Sequence, residues 1–426
     1  MKGRKTLSVL FSAGLITAFT FLLIVPALHA DEIRYPVPCY EGEELQKIRQ
    51  WEKLWAGKKI DNNNIDGVKE LVPESLYKLY KNPGEWGESW FEIIPYKYLK
   101  PTEGDIAYTK KYAGTCSIGD GDKLLNHVCG IPFPEPKTAL EIVYNFDNMN
   151  LGDNLHTDEY MWLVDGRKKY DRKMIMESRM MYFAGRREVT PTPEMEPNKK
   201  KIFRATHSEY LEPASMKGTR GMSIKWKDRT RDYGSWSFSS ATRRITRRST
   251  AQRQTALGGT DLCSDDSTVY GFAIPYLNYK LVGRKELLIP RRVDIDQIKA
   301  LHKEGVCQNP GYKKERITTY VIEAHHKEKD YMYSKMIWYI DPETWYILYA
   351  DKYDRQGKLW KIFDMGQAVK TSVFNKAEVP IIEFSMVADV QRTHSTGVFT
   401  GATIGEKDET FLPDYYEPRA LLRHGY

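Results

Sequence analysis

The sequence predicts a mainly β protein with some α: a single curved antiparallel sheet, a half-open barrel, covered by N-terminal helices. Three observations predict it. From about residue 89 onward, short Tyr-, Ile- and Val-rich runs alternate apolar and polar residues, the period-two signature of half-buried strands. In the last third, residues 331–340 and 345–352 flank Asp341-Pro342-Glu343-Thr344, and a third run, 359–365, follows Asp354-Arg355-Gln356-Gly357. Consecutive strands joined by four-residue turns make a meander. Ahead of them lie two stretches with helical apolar spacing, which need a sheet to bury their faces. No internal repeat or low-complexity linker divides the chain. Residues 31–426 therefore read as one domain, helical over 31–85 and sheet and loops over 86–426, behind a leader over 1–30.

The leader opens with Lys2, Arg4 and Lys5, runs apolar over 7–27 and turns polar at Asp31, the layout of a secretory signal peptide. Pro26 and the Ala27-Leu28-His29-Ala30 end favour cleavage after Ala30 over an uncleaved anchor, although about 20 apolar residues suffice to span a bilayer. Next, Leu45, Ile48, Trp51 and Trp55 recur at helical spacing, predicting an amphipathic helix over 43–55. A second helix over 66–80 carries Val68, Leu71, Val72, Leu76, Leu79 and Tyr80, with Pro73 as a break and Asn82-Pro83-Gly84 as the stop.

Residues 90–98 and 105–112 read as the first strands. Cys116 to Cys129 encloses Gly119-Asp120-Gly121-Asp122, a tight bridged turn rather than a calcium loop, which needs further spaced ligands. Prolines keep 130–136 extended, and 139–146 fits helix or strand. Residues 161–164 and 173–183 form a hairpin through Asp165-Gly166-Arg167, and Met174, Met176, Met180 and Met181 suit either an adaptable apolar lining or an ordinary core strand. A proline-rich exposed loop over 190–198 leads to strands over 202–211 and 221–227. Further strands are expected over 279–290 and 381–391, and a short helix within 411–426.

Residues 233–266 hold a strand, a cationic ridge and an acidic turn. Trp236 and Phe238 alternate with small polar residues; Arg243, Arg244, Arg247, Arg248 and Arg253 follow, then Gly258, Gly259, Thr260, Asp261, Asp265 and Asp266. Closely spaced guanidiniums repel one another unless an anion lies near, so Asp261, Asp265 and Asp266 are the expected partners. The ridge is either a salt-bridged stiffener of the sheet or a docking surface for a lipid headgroup or acidic partner. A net charge of +7, three of it in the leader, does not argue for nucleic acid.

The five cysteines are Cys39, Cys116, Cys129, Cys263 and Cys307. In an exported protein Cys116 and Cys129 are the expected disulfide, worth about 3 kcal/mol in the chain-entropy picture. The nucleophile elbow, the zinc-protease helix, the phosphate loop and the dinucleotide fingerprint are all missing from the sequence. His325-His326 is the best metal candidate, but adjacent strand residues point to opposite faces, so no cofactor or metal is expected.

Several of these stretches together resemble one family of exported proteins, domain-of-unknown-function family 1329, described as outer-membrane lipoprotein-sorting-like and related to the periplasmic lipoprotein carriers. The residues are Gly130-Ile131-Pro132-Phe133-Pro134, Arg243-Arg244 and Arg247-Arg248 with Gly259-Thr260-Asp261 and Asp265-Asp266, Leu281-Val282-Gly283 with Lys285-Glu286, the meander over 331–363, and Asp389-Val390-Gln391 with His394. The resemblance implies a lipoprotein-carrier-like half-barrel with an apolar cavity, no catalytic residues, and a periplasmic role beside a resistance-nodulation-division transporter and an outer-membrane barrel protein. The expected function is a carrier of a hydrophobic molecule such as a lipid, peripheral to the outer membrane at most. Trp162, Met176, Met180, Trp236, Phe238 and Trp338 are its expected lining, and Arg243, Arg244, Arg247 and Arg248 its headgroup or partner contact. A ligand-free adaptor and an envelope hydrolase are the alternatives.

Overall fold

The computed structural model describes residues 33–167, 169–303 and 310–423; the predicted leader and Cys307 lie outside them. The spacing of Leu45, Ile48, Trp51 and Trp55 becomes helix α1 (Gly42–Trp55), with Glu43 and Glu44 in its first turn, where they meet the positive end of the helix dipole. After the short strand β1 (Lys59–Ile60), the second predicted helix splits at Pro73: residues 65–71 wind as a 3-10 segment and α2 (Glu74–Lys81) starts beyond the proline. Then come α3 (Pro83–Trp86) and β2 (Trp90–Ile93).

Residues 105–112, expected as a strand, are helix α4 (Glu103–Tyr112). Thr102 caps it by accepting from the Asp105 amide, with Glu103 and Asp105 in the first turn and Lys110 and Lys111 in the last. Cap and dipole outweigh the weak alternation. A hairpin, β3 (Ser117–Gly119) and β4 (Lys123–Leu125), occupies the cysteine loop. Residues 139–146 resolve as α5 (Ala139–Asp147), started by a Thr138/Glu141 capping box.

The remaining strands are β5 (Asn154–Val164), β6 (Tyr170–Tyr182), β7 (Ile202–Glu212), β8 (Arg220–Trp226), β9 (Gly234–Ser239), β10 (Arg244–Arg247) and β11 (Leu277–Ile289). After helix α6 (Ile295–Lys303) follow β12 (Pro310–His326), β13 (Lys335–Ile340), β14 (Ile347–Tyr353), β15 (Leu359–Thr371), β16 (Glu378–Asp389) and β17 (His394–Ile404). All but β3 and β4 join one 15-stranded sheet in the order β1-β2-β12-β13-β14-β15-β16-β17-β5-β6-β7-β8-β9-β10, with β11 also on β12. Pairing is antiparallel except between β2 and β12. The sheet is curved and not closed. The expected tail helix is instead three 3-10 turns, interrupted at Pro413 and Pro418.

Directly paired residues share a face. One face therefore carries Trp338, Ala350, Phe363, Val387, Thr396 and Leu163; the other carries Tyr339, Tyr349, Asp364, Met386, Gly397 and Trp162. Residues 250–276 strap across the first face, where Tyr270 and Phe146 of α5 pack against Trp338 at 5.4 and 6.1 Å. On the second face α2 docks, its Ser75 hydroxyl donating to Asp351 at 2.6 Å. Further along, at β6 to β9, the C-terminal turns cover this second face: Phe411, Tyr416 and Leu421 pack on Met181, Ala205, Met222 and Ile224.

Candidate functional site

The first face of β5 to β10 carries a different set of side chains. Register aligns Ala402, Thr157, Ser178, Ser208, Gly221, Ser237 and Thr246 as one rung crossing seven strands. Every member is small, so the rung is a trough between larger neighbours, covered at Ala402, Thr157 and Ser178 and open from Ser208 to Thr246. The next rung one way holds Glu159, Met176 and Tyr210; the next the other way holds Leu155, Met180, Thr206, Ser223 and Ser235. Met176, Tyr210, Ser208, Ser223 and Ser237 are half-exposed. The trough thus has a hydroxyl floor and thioether, aliphatic and aromatic flanks. Burial pushes the Glu159 carboxyl above the usual range, against the hydroxyls of Thr157 (3.1 Å) and Ser178.

The trough is cationic at its end and edge. Two residues further along β7 and β8 stand Arg204 and Lys225, with Arg229 beside them. Asp147 at the end of α5 holds Lys225 and, at 2.9 Å, Arg229, whereas Arg204 donates to the Tyr182 hydroxyl at 3.3 Å. Three cations thus surround one carboxylate, and burial pushes the Lys225 ammonium down to about 7 despite Asp147. At the sheet edge, Arg244 pairs with Ser239 on the trough face, and the Arg248 amide donates to the Ser235 carbonyl at 2.9 Å.

The six expected lining residues do not share a face. Met176 and Met180 flank the trough, and Trp338 lies on the same face under α5 and the strap. Trp162 is on the opposite face, stacked on Phe384 and tilted against Phe399 with centroids 5.8 and 4.5 Å away. Trp236 and Phe238 are on that opposite face too, packed with the C-terminal turns. The predicted alternation in β9 is present, but its wet serine side is the one facing the trough.

Arg243, Arg244, Arg247 and Arg248 are exposed on the edge strand and at the residues just before and after it. Arg247 lies over the Trp236 ring at 5.9 Å. They do not pair with the acidic turn, because that turn is docked across the meander instead. Asp266 takes Lys352, with Lys361 at 3.7 Å and the Tyr333 hydroxyl at 3.0 Å. Asp261 takes His394 and Thr396, each at 2.7 Å. Only Asp265 meets an arginine of the stretch, Arg253, at 2.9 Å. Gly259, at φ 85°, and Thr260, whose hydroxyl donates to the Leu257 carbonyl at 2.7 Å, shape the turn.

The expected Cys116–Cys129 bridge is not formed. Both are free thiols; Cys129 is buried, and its Sγ donates to the Arg186 carbonyl at 3.2 Å, outside the hairpin. His325 reaches Glu323 at 3.0 Å, while His326 stacks on Tyr331 at 3.9 Å. The two imidazoles are thereby engaged separately.

Fold and trough together define an open-sheeted β protein that presents an amphipathic trough on one face. The chain belongs to the family described as a protein of unknown function, DUF1329, which matches residues 59–421. It is 23% identical over 321 residues to the uncharacterized protein PA3922 of Pseudomonas aeruginosa, spanning 71% of this chain and 67% of that one. Similar solved structures include a putative outer membrane lipoprotein-sorting protein domain from Vibrio parahaemolyticus (14% identity, 67% of this chain and 98% of that one, TM-score 0.48). A DUF1329 family protein from Desulfovibrio piger (14%, 65% and 97%, TM-score 0.46) and the LolA superfamily protein NE2245 from Nitrosomonas europaea (13%, 66% and 100%, TM-score 0.39) are also similar.

Proposed function

We propose that the protein is a periplasmic carrier of an amphipathic lipid-like molecule, with the acyl part in the trough and an anionic headgroup toward Arg204 and Lys225. The observation that carries this reading is the rung of small residues across seven strands, buried at Ala402, Thr157 and Ser178 and half-exposed at Ser208, Gly221 and Ser237, between Met176 and Tyr210 on one side and Leu155 and Met180 on the other. An acyl chain burying about ten methylenes gains roughly 8 kcal/mol, less the cost of immobilising it. Affinity in the micromolar range or weaker follows, which suits a carrier that must release. The predicted leader supports an envelope location. A resistance-nodulation-division transporter and an outer-membrane barrel protein are the partners the family resemblance implies.

The adaptor reading draws on one observation, the exposed arginines on β10, which among the described residues pairs only with β9. Charge on an edge strand also blocks edge-to-edge association, so the arginines do not require a protein partner.

The test is binding of a fluorescent long-chain acyl probe to delipidated protein. Ser208→Leu with Ser223→Leu fills the trough from half-exposed positions and is expected to weaken binding about 10-fold or more while near-ultraviolet circular dichroism is unchanged. Equal binding by the parent and the filled variant contradicts the trough as the site.

A further inference from the structure

On the opposite face of β5 and β6, His156, Asp158 and Glu177 converge. One imidazole nitrogen and two carboxylate oxygens lie within 4.8 Å of one another. Asp158 and Glu177 are direct cross-strand partners, and His156 stands two residues along β5 on the same face. Like charges directly opposite destabilise a sheet unless something positive sits between them. Arg179 answers part of this, its Nη1 3.1 Å from a Glu177 oxygen.

The imidazole is held from behind. Its Nδ1 is 3.3 Å from Glu406, just past β17, while its Nε2 is shielded from solvent, makes no hydrogen bond and lies 3.7 Å from Asp158. A carboxylate on the far ring nitrogen fixes the tautomer that presents the near nitrogen as a lone pair, which is how metal-binding histidines are oriented. An ordinary core histidine would be expected to pair both nitrogens.

We propose that His156 Nε2, Asp158 and Glu177 bind a divalent transition cation of the zinc class, with Glu406 orienting the histidine. One nitrogen and two carboxylate oxygens match zinc's usual donors, and the imidazole selects it over magnesium and calcium, which take oxygen. Water completes the coordination. Glu406 leads into the C-terminal turns, and its carbonyl accepts from the Asn154 amide at 2.6 Å. The ion therefore fastens the cover of the second face to the strands whose other face forms the trough. Arg179 works against the ion by charge and turns away from Glu177 when it binds.

Untagged full-length protein, stripped with a chelator, is titrated with zinc against a chromogenic competitor, with magnesium in parallel. One equivalent of zinc is expected. His156→Ala and Glu177→Gln should each weaken it about 10-fold or more, and Glu406→Gln by about 10-fold. Arg179→Gln should tighten it, which a merely structural cluster would not do. Zinc should also raise the melting temperature of the parent and not of Glu177→Gln, whose unchanged volume keeps the test open if His156→Ala misfolds. Absence of uptake by the parent, or uptake undiminished in Glu177→Gln, overturns the proposal.

Discussion

Asp351 shows what burial does to one residue. It lies on β14 against α2, accepts the Ser75 hydroxyl at 2.6 Å, and burial pushes its carboxyl up to about 6. The unfolded value is about 3.9, so the folded chain holds this proton more tightly. The contribution to stability is complete below about pH 4 and is lost as pH rises through about 6. Relative to Asp351→Asn, the parent should lose roughly 2–3 kcal/mol between pH 4 and 7, read by urea denaturation at each pH; parallel stability profiles would contradict the assignment. The sequence could not show this. Asp351 belongs to an alternating strand, and only the docking of α2, some 270 residues earlier, decides that its face is dry. The same limit applies to Asp266: the acidic turn was legible, but Lys352 and Lys361 reach it only through the register of β14 with β15.

At the scale of elements, the strap is held to the meander by ion pairs out of water. Asp266→Asn keeps the shape but leaves the buried Lys352 ammonium without its counter-charge, and removing one partner of such a pair costs about 3–5 kcal/mol. Amide exchange should then accelerate over residues 257–272 before it changes in β14 or β15; exchange and stability equal to the parent's would show that the strap is held by packing alone. Elements with strong local signals were legible. The hairpin expected over 331–352 is β13 and β14, and 381–391 is β16 shifted by a few residues. Helix α4 is hard to see in the sequence because its tyrosines and apolar residues alternate as in a strand, and only the Thr102 cap and the charges at its two ends mark it as a helix. Strand β17 was missed because Gly397 and Gly401 interrupt its apolar pattern. Gly397 is there for contact: a Cβ would stand 2.1 Å from the Trp162 indole.

At the scale of the molecule, composition and alternation sufficed for a mainly β chain with one open, curved sheet. They did not indicate which part of which face stays uncovered. That depends on where the strap, α2 and the C-terminal turns land, and all three are distant in sequence from the strands they cover. Trp236 and Phe238 looked like the lining because they are apolar. They are instead under the C-terminal turns, and the small hydroxyl residues between them form part of the trough. The carrier account rests on that trough. Its most direct test is to purify the protein from its own envelope, extract it with organic solvent and identify the extract by mass spectrometry beside the Ser208→Leu, Ser223→Leu variant. The account predicts a near-stoichiometric acyl lipid with an anionic headgroup from the parent and little from the variant. An empty parent, or the same lipid in equal amount from both, would contradict it.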